Sequence, residues 1–201
     1  MKQTRKERRL MEITIYSLII FAFVVSIVNM KKSEGIIANS DMSISNNKIG
    51  WGVKREKDHK TPDLGSENKK ILEKYNGLTL GDVNSNKVYL TFDEGYEAGY
   101  TEQILDTLKN NNVTGTFFIT AHYVNTQPDL VQKMIDSGHI VGNHTVNHKS
   151  MPDLSDEKIK TEIMDLHTVI YEKFGYEMKF IRPPMGEFSE RTLNIINSLR
   201  I

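Results

Sequence analysis

The chain contains no cysteine among its 201 residues, which excludes disulfide cross-links and thiolate metal sites. That absence is compatible with an extracytoplasmic or a cytosolic location. Net charge is absent too, because 26 basic residues balance 26 acidic ones. The whole-chain basic footprint of a nucleic-acid binder is therefore missing, and no nucleic-acid partner is expected. No internal repeat or low-complexity tract stands out. The length suits one domain with an appendage.

What charge there is lies unevenly. Lys2, Arg5, Lys6, Arg8 and Arg9 crowd the first ten residues, and Ile13–Met30 (ITIYSLIIFAFVVSIVNM) then carries no charge. As a helix, these 18 residues span roughly 27 Å, just short of a bilayer core of about 30 Å. Lys31 and Lys32 follow and can snorkel to the interface. The expectation is a basic cytoplasmic leader over 1–12 and a transmembrane signal-anchor over 13–30. The basic leader places the N-terminus inside and the domain outside the cell membrane. The alternatives are a cleaved signal with secretion, for which no Ala-x-Ala-like site is present, and a buried core helix. Residues 31–60, polar and rich in Ser, Asn and Lys, read as a stalk running into an ordered lead-in near Trp51.

Regular periodicity begins further on. Residues 69–75 read as a short helix stopped by Asn76-Gly77. Lys87–Phe92 is β-branched and aromatic, as strands are, and Val113–Thr120 repeats that character. Thr101–Asn110 places Ile104, Leu105 and Leu108 on one helical face. Asp129–Ser137 is helical with Gly138 as its stop, and His139–Gly142 is a short strand. A long helix starts at Ser155 and ends at Gly175; Met178–Ile181 is a fourth strand and Ser189–Leu199 a last helix. Strict β-α alternation implies a parallel sheet with right-handed crossovers. Four units are too few to close a barrel by themselves.

Three polar segments follow three of those strands. Asp93 and Glu94 lie after the first, where parallel α/β folds carry their functional loops. His144 and His148 stand four apart after the third, a spacing from which two imidazoles can reach one metal ion. Thr145 occupies the glutamate position of the His-Glu-x-x-His zinc-protease pattern, so that reading is excluded. Asn143 and Asn147 make the segment polar, which argues against buried core histidines. Arg182 follows the fourth strand, where an arginine can hold a carboxylate by two parallel hydrogen bonds and keep it ionised. Pro183 and Pro184 stiffen its backbone, and Gly186 permits close approach or positive φ. His122 could line the same face; His59, His139 and His167 read as structural or solvated.

At these residues the chain resembles the NodB-homology polysaccharide deacetylases, carbohydrate esterase family 4. Thr91-Phe92-Asp93-Glu94-Gly95 stands where that family has Thr-Phe-Asp-Asp-Gly. His144-x-x-x-His148 matches its paired-histidine motif, and Arg182-x-Pro184-x-Gly186 its third motif. The resemblance runs from about Gly50 onward and implies a distorted (β/α) barrel, of which about four βα units are present over 61–201. Trp51-Gly52-Val53-Lys54-Arg55 and Phe92–Thr101 resemble a narrower group, the delta-lactam-biosynthetic de-N-acetylases of spore-forming bacteria. That similarity implies peptidoglycan as the partner, with N-acetylmuramic acid of the spore cortex as substrate. It also implies a divalent metal ion, with Zn, Mn and Co not distinguished. His144, His148 and Glu94 would be its ligands, Glu94 replacing an aspartate one methylene shorter. Asp93 would be the general base that deprotonates water, and Arg182 would orient it. Pro184, Gly186 and Tyr96 would contact substrate.

The family's fourth motif (Asp and Trp) and fifth motif (Leu and a catalytic His, the general acid) lie C-terminal to the third. The expectation is that this chain ends before them. The alternative to an enzyme is thus a relative that binds glycan, or a metal-binding interaction domain, without turnover.

Overall fold

The computed structural model describes residues 44–58 and 60–199. The expected leader, the transmembrane helix at 13–30 and most of the stalk lie outside those residues. Among the described residues, no helix is long and apolar enough to cross a membrane.

Chain order is β1 (Ile49–Gly50), α1 (Ser66–Lys74), β2 (Thr91–Glu94), α2 (Thr101–Asn110), β3 (Thr116–Ile119), α3 (Ala121–Thr126), α4 (Pro128–Asp136), β4 (Ile140–Asn143), α5 (Asp156–Phe174), β5 (Glu187–Phe188) and α6 (Glu190–Leu199). The sheet that positions the site is parallel, in the order β2-β3-β4, with Asp93 opposite Phe118 and Ile119 opposite Asn143. Its middle strand is covered on both faces: Phe117 and Ile119 are fully buried and Phe118 nearly so. A continuous apolar run of this kind is what a central parallel strand needs.

Helices close the two layers. Leu105 and Leu108 of α2, Val131 and Met134 of α4, and Leu166 and Ile170 of α5 join Phe117, Ile119 and Val141 in one cluster. Ile159 and Ile163, earlier on α5, face a second cluster with Met151 and Ile195. The spacing of these four α5 residues follows the helical period, so one stripe serves both clusters. Ser155 caps α5 by accepting from the Lys158 N–H, and Gly175 ends it in the left-handed region.

Three expected strands differ from what is found, the second of them starting at Thr116, not Val113. The first begins at Thr91, not Lys87, because ladder pairing to β3 starts there. Val88, Tyr89 and Leu90 instead lie exposed. The fourth, expected over Met178–Ile181, contributes a single parallel bridge between Ile181 and Asn143. Asn143 N–H donates to Phe180 O at 2.8 Å and Arg182 N–H to Asn143 O at 2.9 Å. Pro183 and Pro184 have no N–H with which to continue the ladder. Helix α3 is absent from the sequence-based expectation: at six residues it is too short to show a periodicity.

The lead-in pairs with the segment that follows Arg182. β1 pairs antiparallel with β5, and Trp51 N–H donates to Gly186 O at 2.7 Å. Gly186 sits at φ 65°, and a Cβ there would stand 3.0 Å from the Trp51 Cβ. Both positive φ and close approach are therefore real at this glycine.

His139 is buried against the Phe117 ring, centroids 5.4 Å apart. Its Nδ1 accepts from the Gly115 N–H, so the proton is on Nε2, which has no hydrogen-bond partner. Burial pushes its pKa down. The unfolded imidazole titrates near about 6.5, so below that pH the unfolded state binds more protons. Stability is full above the unfolded pKa and is lost as pH falls through it toward the folded one. Thermal melts should fall between about pH 7 and pH 5, and the fall should be shallower in His139→Gln, whose amide oxygen can still accept from Gly115.

Candidate active site

The carboxyl ends of the parallel strands converge on one cavity of about 510 Å³, lined by Asp93, Gly95, Tyr96, Thr120, His122, His144, Val146, Asn147 and His148. Asp93 comes from β2, Thr120 and His122 from the β3–α3 junction, and the histidine pair from the loop after β4.

Asp93 and Arg182 pair across the site, with Arg182 Nη1 2.6 Å from Asp93 Oδ1. The guanidinium also stacks over the Phe118 ring, 4.2 Å from its centroid. A planar cation held on one face by an aromatic ring has few other orientations, so the carboxylate is aimed as well as charged.

His144 is 3% exposed, so the expectation that a polar loop keeps its histidines out of the interior does not hold for this one. It forms the buried floor of the cavity. Its Nδ1 lies 2.9 Å from the Arg182 carbonyl oxygen. A carbonyl only accepts, so Nδ1 carries the proton and Nε2 keeps its lone pair. Burial lowers its pKa, against the opposing hydrogen bond to Arg182 and the Asp93 charge, and favours the neutral ring. The His148 ring lies 4.7 Å away, centroid to centroid, at 66°. A neutral imidazole with an oriented partner on Nδ1 is the form that ligates a divalent ion, and both rings line one cavity; this pair fits such an ion.

The loop carrying the pair is strained and tied. Thr145 and His148 adopt φ of 68° and 52°, a left-handed region in which the β-branched threonine is a genuine outlier and histidine less so. Asn143 is fully buried and bonded at both side-chain polar atoms: its Nδ2 donates to Ile163 O at 2.8 Å, and its Oδ1 accepts from Thr145 N–H at 2.9 Å. His148 N–H donates to Thr145 Oγ1 at 3.1 Å.

Three expected site residues stand elsewhere. Glu94, the expected third ligand, does not line the cavity, and no group of three His, Cys, Asp or Glu placed to hold an ion occurs among the described residues. The reason is the pleat: β2 alternates faces, and Glu94 shares the face of Phe92, which stacks on Phe117 at 4.7 Å. Burial, then the charges of Glu97 and Asp93, raise the Glu94 pKa. Pro184 is buried and Gly186 meets Trp51, so both shape the turn after Arg182 without reaching the cavity. Tyr96 does line it, largely exposed. Its loop is anchored next door by Glu97, whose carboxylate accepts from Gly99 N–H, Thr101 N–H and Tyr123 Oη–H. Burial opposes ionisation there, but these bonds prevail and hold Glu97 at about 2.

Thr120, Val146 and Asn147 are lining residues that the motifs do not point to, although each lies within two positions of a strand end or of one of the paired histidines. That placement is the available signal.

Residues 81–201 match the polysaccharide deacetylase family. The chain belongs to that family. It is similar to the peptidoglycan-N-acetylmuramic acid deacetylase PdaA of Bacillus subtilis (strain 168), 41% identical over 152 residues, covering 75% of this chain and 58% of the relative. A peptidoglycan-N-acetylglucosamine deacetylase of Bacillus cereus is 36% identical over 122 residues, covering 61% of this chain and 44% of that one. The structure of Bacillus subtilis PdaA, a family 4 carbohydrate esterase, superposes with a TM-score of 0.76 at 40% identity, covering 78% of this chain and 68% of that one. A family 4 carbohydrate esterase from Bacillus anthracis gives 0.73 at 41% identity, covering 79% and 72%. The chain spans 57% and 58% of the length of the first two curated relatives it matches.

Proposed function

We propose that this protein removes N-acetyl groups from peptidoglycan or a related polysaccharide, with N-acetylmuramic acid of the spore cortex, on the way to the delta-lactam, as the substrate. The observation that carries the reading is the arginine-held Asp93 facing the His144–His148 pair across one cavity. The choice of sugar is supported by the similarity to a protein named as an N-acetylmuramic acid deacetylase. The basic leader and the uncharged stretch that follows it support an outward-facing domain at the cell membrane.

The chemistry is hydrolysis of an acetamide to an amine and acetate. His144 and His148 would hold a divalent ion, which supplies Lewis-acid polarisation of the carbonyl and a more acidic water. Asp93 accepts the proton from the attacking water, whose oxygen bonds to the acetyl carbon. The C–N bond breaks, and the nitrogen leaves as the free amine, taking up the proton that Asp93 accepted from water, so that Asp93 returns to its carboxylate. Arg182 keeps Asp93 aimed and, through its own carbonyl, keeps the proton of His144 on Nδ1.

The test is acetate release by the purified protein from cortex peptidoglycan supplied with Zn²⁺, Mn²⁺ or Co²⁺, with analysis of which amino sugar appears. Acetate that stops with chelator and returns with metal, accompanied by deacetylated muramic acid, is the expected result. Free glucosamine would move the reading to the substrate named for the Bacillus cereus relative. No acetate with any of the three ions would overturn it.

A further inference from the structure

The loop that presents His148 is held by a side chain far from it in sequence. Glu162, on α5, is 6% exposed, and both of its carboxylate oxygens are engaged by one residue. Asn147 N–H donates to Oε2 at 2.7 Å and Asn147 Nδ2 donates to Oε1 at 2.6 Å. The Glu162 carbonyl accepts from Val146 N–H at 3.0 Å. Three donors of the 146–147 segment thus end on a single helical residue. The next residue is His148, whose backbone is left-handed at φ 52°, a region uncommon outside glycine although histidine is among the side chains that enter it most readily.

We infer that Glu162 is a positioning residue: its carboxylate clamps Asn147 and so fixes the backbone of His148, keeping that imidazole turned toward His144. The inference rests on the reading that the histidine pair holds a divalent ion. Charge-assisted hydrogen bonds are the stronger kind, and two in parallel fix orientation as well as distance. A buried carboxylate is expensive to desolvate unless it is bonded, and here both oxygens accept. A neutral amide at 162 offers one acceptor to the two Asn147 donors and turns its own NH₂ toward the second.

The geometry specifies a rescue. In N147D/E162Q the amide oxygen introduced on α5 can accept from the backbone N–H of position 147, while the amide NH₂ beside it donates to the carboxylate introduced on the loop. Both bonds return with the charge on the opposite partner.

Two measurements on the full chain decide. Co²⁺ affinity, read from the cobalt absorption band, should fall about 10–100-fold in E162Q, the usual effect of removing an outer partner of a metal ligand. It should recover to within a few fold of wild type in N147D/E162Q. Amide exchange in the metal-free protein should speed up at 147 and 148 in E162Q while the core amide of Val141 stays protected. A loss of Co²⁺ affinity that the double variant does not recover, or one matched by faster exchange at Val141, would make Glu162 a general stability residue and overturn the inference. Unchanged exchange at 147 and 148 would overturn it as well. If the wild-type protein does not bind Co²⁺, the metal reading falls separately; faster exchange at 147 and 148, reversed in the double variant, still supports the clamp, and its absence sinks it.

Discussion

Asp93→Asn lowers acetate release about 10²–10⁴-fold, the range over which a positioned general base accelerates proton transfer. The substitution preserves shape and one carbonyl oxygen, so Arg182 keeps an acceptor at its Nη1. It removes only the capacity to take a proton. Asp93 is not a core residue: its side chain is 45% exposed, and an ion pair at that exposure contributes little to stability. The melting temperature should therefore hold while kcat collapses. Because the imidazoles are untouched, Co²⁺ affinity should hold too. Wild-type turnover in Asp93→Asn would remove Asp93 from the chemistry, and a parallel loss of fold would make its role structural. The two outcomes are separable in one experiment by following circular dichroism alongside acetate.

The second large effect is on stability. Phe117→Ala should cost about 3–5 kcal/mol, the range for emptying a buried phenylalanine site. Phe117 is fully buried in the central strand, its ring stacked on Phe92 at 14° and edge-on to His139. Backbone pairing on both sides limits how far β3 can move inward to refill the space. Against a total of roughly 5–15 kcal/mol for a domain, that loss is a large fraction. Urea denaturation should show a much lower midpoint with little change in slope. A loss below about 1 kcal/mol would contradict a tightly packed strand at this position.

Much of this is legible in the residues. Helix 101–110 is found at its expected bounds because Ile104, Leu105 and Leu108 mark one face and Asn111 and Asn112 end it. The long helix is readable from Ser155 and Gly175, which act through local backbone chemistry that needs no tertiary partner. The convergence of Asp93, His144 and Arg182 follows from topology, since parallel strands deliver their carboxyl ends to one side. Glu94 is not readable in the same way. Its neighbour in sequence points into the cavity, and on a strand that fact alone sends Glu94 to the other face. The motif makes the two carboxylates look alike where the pleat separates them. Glu162 is invisible for a different reason: its partner Asn147 lies fifteen residues away, and nothing in either segment marks the pairing.

Asn143 ties the segment that carries Arg182 to the histidine loop without lining the cavity. Its backbone registers Phe180 and Arg182, its amide NH₂ holds α5 at Ile163, and its amide oxygen sets the turn at Thr145. Arg182 and the histidine loop therefore hang on one buried side chain and its two peptide groups. Energies measured at such a node do not sum. Removing the Asn143 amide frees the Ile163 carbonyl and the Thr145 N–H together, so α5 and the histidine loop lose their tie in one step.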